Sequence, residues 1–152
     1  MEKLPFARSY RDLIVYQKAR AAAKRIFDLT KLFPKEEMYS LTDQVRRSSR
    51  SMGGQIAEAW AKRRYPNHFV TKLTDADGEK NETQHWMDTA GDCGYLPPHV
   101  VTEVKTDLDE IGRMLQSMIS RAEDFQGIGF DRVRESAASY GSIEQFFLNT
   151  EH

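Results

Sequence analysis

The sequence of 152 residues contains one cysteine, Cys93. A single cysteine excludes an internal disulfide framework and is typical of a protein from a reducing compartment. The sequence also lacks an apolar run of roughly 18 residues, the minimum for a transmembrane helix, and the shorter N-terminal apolar run that a signal peptide needs. We therefore expect a cytoplasmic protein without a membrane partner.

Net charge is nearly absent as well. The formal charge is −1 at pH 7, which gives the whole chain no bias toward nucleic acid or an anionic membrane. The charges are nevertheless unevenly placed, because residues 45–64 contain six basic residues and one acid, whereas residues 99–124 contain six acids and three bases. A site for a polyanion would therefore have to be local.

No stretch shows the alternation of a β-strand flanked by turn residues. Four stretches instead show helical spacing of apolar residues, at about residues 9–33, 41–64, 66 to between 91 and 94, and 101–125. We predict an all-α fold, an up-and-down antiparallel four-helix bundle over residues 9–125. An N-terminal arm over residues 1–8 precedes it, and a short, partly helical C-terminal extension over residues 126–152 follows it.

The first two predicted helices have clear inner faces. Ser9 is the predicted N-cap of the first, and Pro34 ends it. The Gly53-Gly54 pair in the second favours a kink or a close helix contact. The inner faces are Tyr16, Ala19, Ala23, Ile26 and Phe33 in the first helix, and Leu41, Val45, Met52, Ile56 and Trp60 in the second.

Two sets of polar residues lie beside the apolar face of the second helix. The first set is basic and has two interpretations, a solvated surface or a phosphate-binding face; its members are Arg46, Arg50, Lys62, Arg63 and Arg64. The second set follows three- and four-residue spacing, and its members are Gln44, Arg47, Ser51, Gln55 and Glu58. Because Arg47 and Glu58 lie almost three turns apart on one face, they are candidates for pairing or for hydrated contacts.

The sequence gives little indication of catalysis. None of the serines at positions 48, 49 and 51 has a histidine or lysine at helical neighbour spacing. Glu82 and His85 form one Glu-x-x-His step, but a di-iron bundle needs a second copy and two further glutamates. We predict no catalytic residue, no metal and no cofactor, and therefore a protein that is not an enzyme.

The chain resembles the bacterial four-helix-bundle proteins of the ribosomal S23 type, which are encoded by intervening sequences in 23S rRNA genes. The similarity extends over roughly residues 9–125. The residues that carry it are Asp12-Leu13, Tyr16-Gln17-Lys18-Ala19, Phe33-Pro34-Lys35-Glu36-Glu37, Leu41, Gln44, Arg46-Arg47, Ser51, Ile56-Ala57-Glu58, Gly78, Glu82-Thr83, Trp86 and Gly94-Tyr95-Leu96. The chain departs from the family pattern at Ala59 and Ala61, where glycine is usual.

The resemblance implies a ring-like homopentamer, in which the second polar set lies at a subunit interface or lines the pore. The favoured hypothesis is a non-enzymatic, homo-oligomeric scaffold that binds nucleic acid, RNA above all, through the basic outer helix faces. The family is also related to the accessory variability proteins of diversity-generating retroelements. That relation gives a second hypothesis, an accessory subunit of a reverse transcriptase. A bundle enzyme or metal protein is the third.

The composition changes after Gln126, where glycines bracket short segments. Residues 142–148 read Ser-Ile-Glu-Gln-Phe-Phe-Leu, a compact amphipathic turn that starts with a capping box. Three interpretations are open: a tail folded back on the bundle, a peptide for a neighbouring subunit or partner, and disorder.

Overall fold

The computed structural model describes residues 9–129 and 143–148. Within these residues the chain forms four long helices: α1 (Ile14–Thr30), α2 (Leu41–Ala61), α3 (Pro66–Asp92) and α4 (Pro98–Ser120). A one-turn helix, α5 (Ala122–Phe125), follows α4 directly. The predicted all-α four-helix bundle is confirmed. The predicted arm over residues 1–8 lies outside the described residues, as do most residues of the extension.

The long helices occupy the predicted stretches, but several of their ends differ. The first ends at Thr30 and not at residue 33, and the fourth ends at Ser120 and not at residue 125. Ser9 caps a 3-10 turn at Tyr10–Asp12 instead of α1, its Oγ accepting a hydrogen bond from the amide of Arg11 at 3.1 Å. At the other end, α2 stops at Ala61 and not at residue 64. Pro66 is the first residue of α3, where its missing N–H costs nothing.

All four long helices contribute buried side chains to the core. All five predicted inner residues of α2 are buried, as are Val101, Val104, Leu108, Ile111, Leu115 and Met118 of α4. In α1 two residues of the predicted inner face are not buried, and the residue immediately before each of them is buried instead. Val15 and Ala22 are buried, whereas Tyr16 and Ala23 are half-buried and face a groove beside Gly53.

Gly53 marks a close contact between α1 and α2. A Cβ atom at this position would lie 3.6 Å from Cε1 of Tyr16, so the tyrosine ring packs directly over the glycine. The contact agrees with one of the two roles that the sequence suggested for Gly53-Gly54. The helix continues without interruption through both glycines.

The described part of the extension packs against one end of the bundle. Ile143, Phe146 and Phe147 are buried, and Phe147 forms an antiparallel bridge with Leu13. The amide of Leu148 donates to the carbonyl oxygen of Asp12 at 2.8 Å. The structure therefore agrees with the folded-back interpretation of this segment.

Two aromatic side chains of the bundle receive the extension. Phe147 makes an edge contact with Trp60 at 6.1 Å between ring centroids, and Phe146 lies 5.5 Å from Phe125. These rings close the end of the core that α2 and α5 would otherwise leave uncovered.

Over the described residues, none of the helices has the length and apolar character needed to cross a membrane.

We expect Phe147→Ala to lower the free energy of unfolding by about 3–5 kcal/mol, because it removes a buried ring from this contact. Gln145→Ala, an exposed neighbour, is the control and should change it by less than about 0.5 kcal/mol. Urea unfolding measures both. Equal stabilities for the two variants would show that the extension contributes nothing to the core.

Candidate functional site

A cluster of positive charge surrounds one half-buried aromatic ring on the face shared by α1 and α2. Phe27 of α1 has the side-chain cations of four residues within 6 Å of its ring centroid: Lys24 at 5.7 Å, Lys31 at 4.7 Å, Arg46 at 4.7 Å and Arg50 at 5.4 Å. Each cation is attracted by the negative face of the ring. We call these five residues the Phe27 cluster.

Hydrogen bonds fix part of the Phe27 cluster. Thr30 Oγ1 donates to the carbonyl oxygen of Phe27 at 2.7 Å and accepts from Arg46 Nε at 2.8 Å. Arg46 is half-buried as a result, whereas Arg50 is exposed. The cluster thus contains one arginine held by a hydrogen bond, Arg46, and one that faces solvent, Arg50.

One acid neutralises part of this charge. Asp28 lies 2.9 Å from Lys24 Nζ and 3.4 Å from Lys31 Nζ. The hydrogen bond from Lys24 lowers the pKa of the Asp28 carboxyl. Both lysines are therefore partly compensated, and the net positive charge of the cluster lies mainly on Arg46 and Arg50.

The structure divides the predicted basic set. Arg46 and Arg50 belong to the Phe27 cluster, but Arg63 does not. Its Nε donates to the carbonyl oxygen of Ile128 at 2.8 Å, its Nη1 donates to that of Trp60 at 2.7 Å, and its guanidinium stacks on the Trp60 ring at 4.1 Å. The prediction that Arg63 faces a phosphate is thus corrected, because its donors hold the chain after α5.

Lys62 and Arg64 lie at the far end of α2. The prediction of one basic face that includes Arg64 requires a helix through residue 64, whereas α2 ends at Ala61. At 1.5 Å per residue, Ala61 already lies about 22 Å along the helix axis from Arg46. Lys62 and Arg64 are exposed but form no continuous stripe with the Phe27 cluster.

The sequence interpretation missed the contribution of α1. Lys24, Phe27 and Lys31 follow Arg20 at intervals of four, three and four residues, which is the spacing of a single helix face. This signal was present in the sequence.

The second polar set faces α3, and its charges are paired within the chain. Arg47 donates to Glu82 Oε2 at 2.5 Å and lies 3.5 Å from Glu79 Oε2. Glu58 pairs with Lys72 at 2.9 Å. Within one protomer α3 thus supplies a separate partner for each residue, and a pairing of Arg47 with Glu58 across a subunit interface stays a prediction.

The remaining members of the second polar set have different environments. Lys72 Nζ also reaches Gln55 Oε1 at 3.5 Å, and Ser51 is half-buried. Gln44 is exposed. The location of this set at a subunit interface stays a prediction, since the ion pairs described here lie inside one protomer.

The two glutamates that contact Arg47 differ in pKa. The hydrogen bond from Arg47 lowers the pKa of Glu82, whereas burial raises the pKa of Glu79 and the neighbouring Glu82 adds to that shift. The Glu82 carboxylate is thus held in an ion pair with Arg47 and is not arranged with His85 as a pair of metal ligands. Within residues 9–129 and 143–148, no group of three or more histidine, cysteine and acidic side chains could hold a metal ion.

The fold and this surface define a class of protein: an all-α bundle with a basic face on α1 and α2 and an ion-paired seam between α2 and α3. The chain belongs to the family described as 23S rRNA-intervening sequence protein, whose family model matches residues 11–117. The search of the curated proteins finds no match.

A solved structure of similar fold comes from Bacteroides thetaiotaomicron VPI-5482, a protein of unknown function from the S23 ribosomal protein family. It is 29% identical in sequence, with a TM-score of 0.64. The similarity covers 70% of this chain and 98% of that one. The S23-type resemblance is confirmed, whereas the relation to retroelement accessory proteins stays a prediction.

The pKa shifts predict opposite effects of replacing the two glutamates beside Arg47, Glu82 and Glu79. A lowered pKa means that ionised Glu82 stabilises the fold above its unfolded pKa of about 4.3, and that this stability is lost as the pH falls through the lower folded value. Ionised Glu79 instead carries a penalty that disappears at acid pH. We expect Glu82→Gln to lower stability at pH 7 by about 0.5–1 kcal/mol, a small value because the pair is half-exposed.

Glu79→Gln is the matched control and should leave stability at pH 7 unchanged or raise it. Urea unfolding at pH 7 and near pH 4 measures both variants. The deficit of Glu82→Gln relative to the unsubstituted protein should shrink at the lower pH. A deficit that grows there would contradict the assignment of the ion pair to Glu82.

Proposed function

We propose that this protein is a non-enzymatic scaffold that binds RNA through the Phe27 cluster and assembles as a homo-oligomer. The observation that carries the proposal is the convergence of four cations from two helices on one aromatic ring. Phosphate contacts from arginine and lysine supply most of the affinity of sequence-independent nucleic-acid binding. Planar guanidinium groups suit phosphate especially well.

The contrast with the other side of α1 supports this assignment. Arg25 lies 2.6 Å from Glu103 and 3.6 Å from Asp107, and Lys18 lies 3.1 Å from Glu110. The cations of α1 that face α4 are thus neutralised by acids of α4. The cations on the side of α1 that faces α2 include Lys24 and Lys31. Among the ion pairs of the described residues, Asp28 is the one carboxylate partner of these two lysines.

Family membership favours RNA over DNA as the ligand. The family takes its description from intervening sequences of 23S rRNA, so a role connected with RNA is the simplest expectation. Lys62 and Arg64 of the predicted basic set stay candidates for an outer contact at the other end of α2. A reverse transcriptase as a protein partner also stays a prediction.

The proposed assembly is the pentamer that the family resemblance implies. Five copies of a weak phosphate site on one particle would raise the overall affinity through multivalency, although each chain has a net charge of only −1. Exposed apolar side chains in the connection between α1 and α2 support self-association: Leu32 is 71% exposed and Tyr39 93%.

We expect Arg46→Gln with Arg50→Gln to weaken RNA binding uniformly across sequences and to flatten its salt dependence. The slope of log affinity against log salt should fall by about 1.4, since each single-strand phosphate contact contributes about 0.7. The matched control is Lys105→Gln with Arg113→Gln on α4, which removes the same charge from another helix. Fluorescence anisotropy at several salt concentrations measures the slopes, and an unchanged slope in the Arg46/Arg50 variant would contradict the proposed site.

The native mass of the purified protein tests the proposed assembly. Light scattering coupled to size exclusion should give the mass of five protomers, independent of protein concentration over the micromolar range. A monomer would contradict the assembly, and with it the multivalent part of the proposal.

A further inference from the structure

An open groove lies between α1 and α2, beside the Phe27 cluster. Its volume is about 340 Å³, within the range of roughly 300–1,000 Å³ typical of small-ligand sites. Glycine and alanine form its floor, at Gly53, Gly54 and Ala57 of α2. Tyr16 and Arg20 of α1 line it from the other side.

The Gly53-Gly54 pair keeps the groove open. A Cβ atom at Gly54 would meet no other atom within 4 Å, so the space beside this residue is free. At Gly53 the same atom would lie under the ring of Tyr16. Two successive glycines in the middle of a helix disfavour that helix, yet here they create a concave surface next to a tyrosine.

The chemistry of the groove combines aromatic rings with positive charge. Tyr10 and Tyr16 pack edge to face at 4.8 Å, and both line the groove. Arg20 and Arg50 also line it, and none of its ten lining residues is acidic. Two other surface grooves differ in this respect, because one contains Glu123 and the other Asp77.

We propose that this groove holds one unstacked nucleotide of a single-stranded RNA. The base would lie over the glycine floor against Tyr16, while Arg20 and Arg50 contact the phosphates on either side. Arg50 also belongs to the Phe27 cluster, so the backbone would continue from the groove onto the cluster. The inference rests on the proposed RNA binding and specifies its ligand as single-stranded.

The physical basis is the accessibility of the base. Proteins recognise single-stranded RNA by stacking splayed bases on aromatic side chains and arginine planes, whereas paired bases in a duplex are not available for such contacts. A groove with a tyrosine wall, a floor of glycine and alanine and two arginines fits that mode. A duplex would contact only the cations at the surface.

Filling the groove tests the proposal. In Gly54→Leu the new Cβ atom meets no other atom within 4 Å, so the side chain starts in free space, and leucine is a better helix former than glycine. Gly78→Leu is the matched control, because Gly78 is also an exposed mid-helix glycine whose Cβ would meet nothing within 4 Å, but it lies on α3. Gly54→Ala adds only a methyl group, so it separates the effect of higher helix propensity from the effect of filling the groove.

The probes are a fluorescent single-stranded RNA of 12 nucleotides of mixed sequence and the duplex of the same sequence. We expect Gly54→Leu to weaken single-strand binding by about tenfold or more, the loss of one base–aromatic stack, and to leave duplex binding within about twofold. Gly78→Leu should bind both probes like the unsubstituted protein, with Gly54→Ala between the two leucine variants. The native mass of each variant is measured in parallel.

Three results would overturn the inference, and they are distinguishable. Unchanged single-strand binding by Gly54→Leu would remove the nucleotide from the groove but leave RNA binding by the Phe27 cluster intact. Failure of the unsubstituted protein to bind either probe would overturn the proposed function itself. A change in native mass for Gly54→Leu alone would assign the groove to a helix of a second copy of the chain.

Discussion

The burial of one side of α2 between α1 and α3 is the constraint on which the rest of the structure depends. Its row of apolar residues from Leu41 to Trp60 is buried in the core. Because the side chains of a helix point in set directions relative to one another, burial of this row also determines where the other side chains of α2 point. Arg47 must point toward α3, while Arg46 and Arg50 must point toward the outer side of α1. A single helix therefore supplies both the ion-paired seam and the basic face.

The cations of this protein have two distinct environments. Arg47, Lys72, Arg25 and Lys18 each have carboxylate partners on a neighbouring helix, and exposed pairs of this kind contribute little to stability. The cations around Phe27 are instead crowded together, and among the ion pairs of the described residues Asp28 is their one acidic partner. An anionic ligand would relieve the repulsion between them, which is why RNA binding is proposed for this face.

Much of the fold could be predicted from the sequence, and less of the site. The 3–4 spacing in α2 and α4 identified their buried residues because a long helix repeats its inner face many times. In α1 the small alanines gave a weaker signal, so Tyr16 and Ala23 were placed in the core. Arg63 was misassigned and the in-chain partner of Glu58 was not predicted, because the carbonyl of Ile128 and Lys72 belong to other segments. Spacing along one helix carries no information about them.

The most direct test is arginine footprinting of the unsubstituted protein with and without a short single-stranded RNA. An arginine-selective dicarbonyl reagent modifies accessible guanidinium groups, and mass spectrometry of the peptides gives the extent at each position. The account predicts that RNA at low salt protects Arg20 and Arg50 but not Arg113 on α4, and that high salt removes the protection. Equal modification of Arg20 and Arg50 with and without RNA, or protection of Arg113 instead, would contradict it.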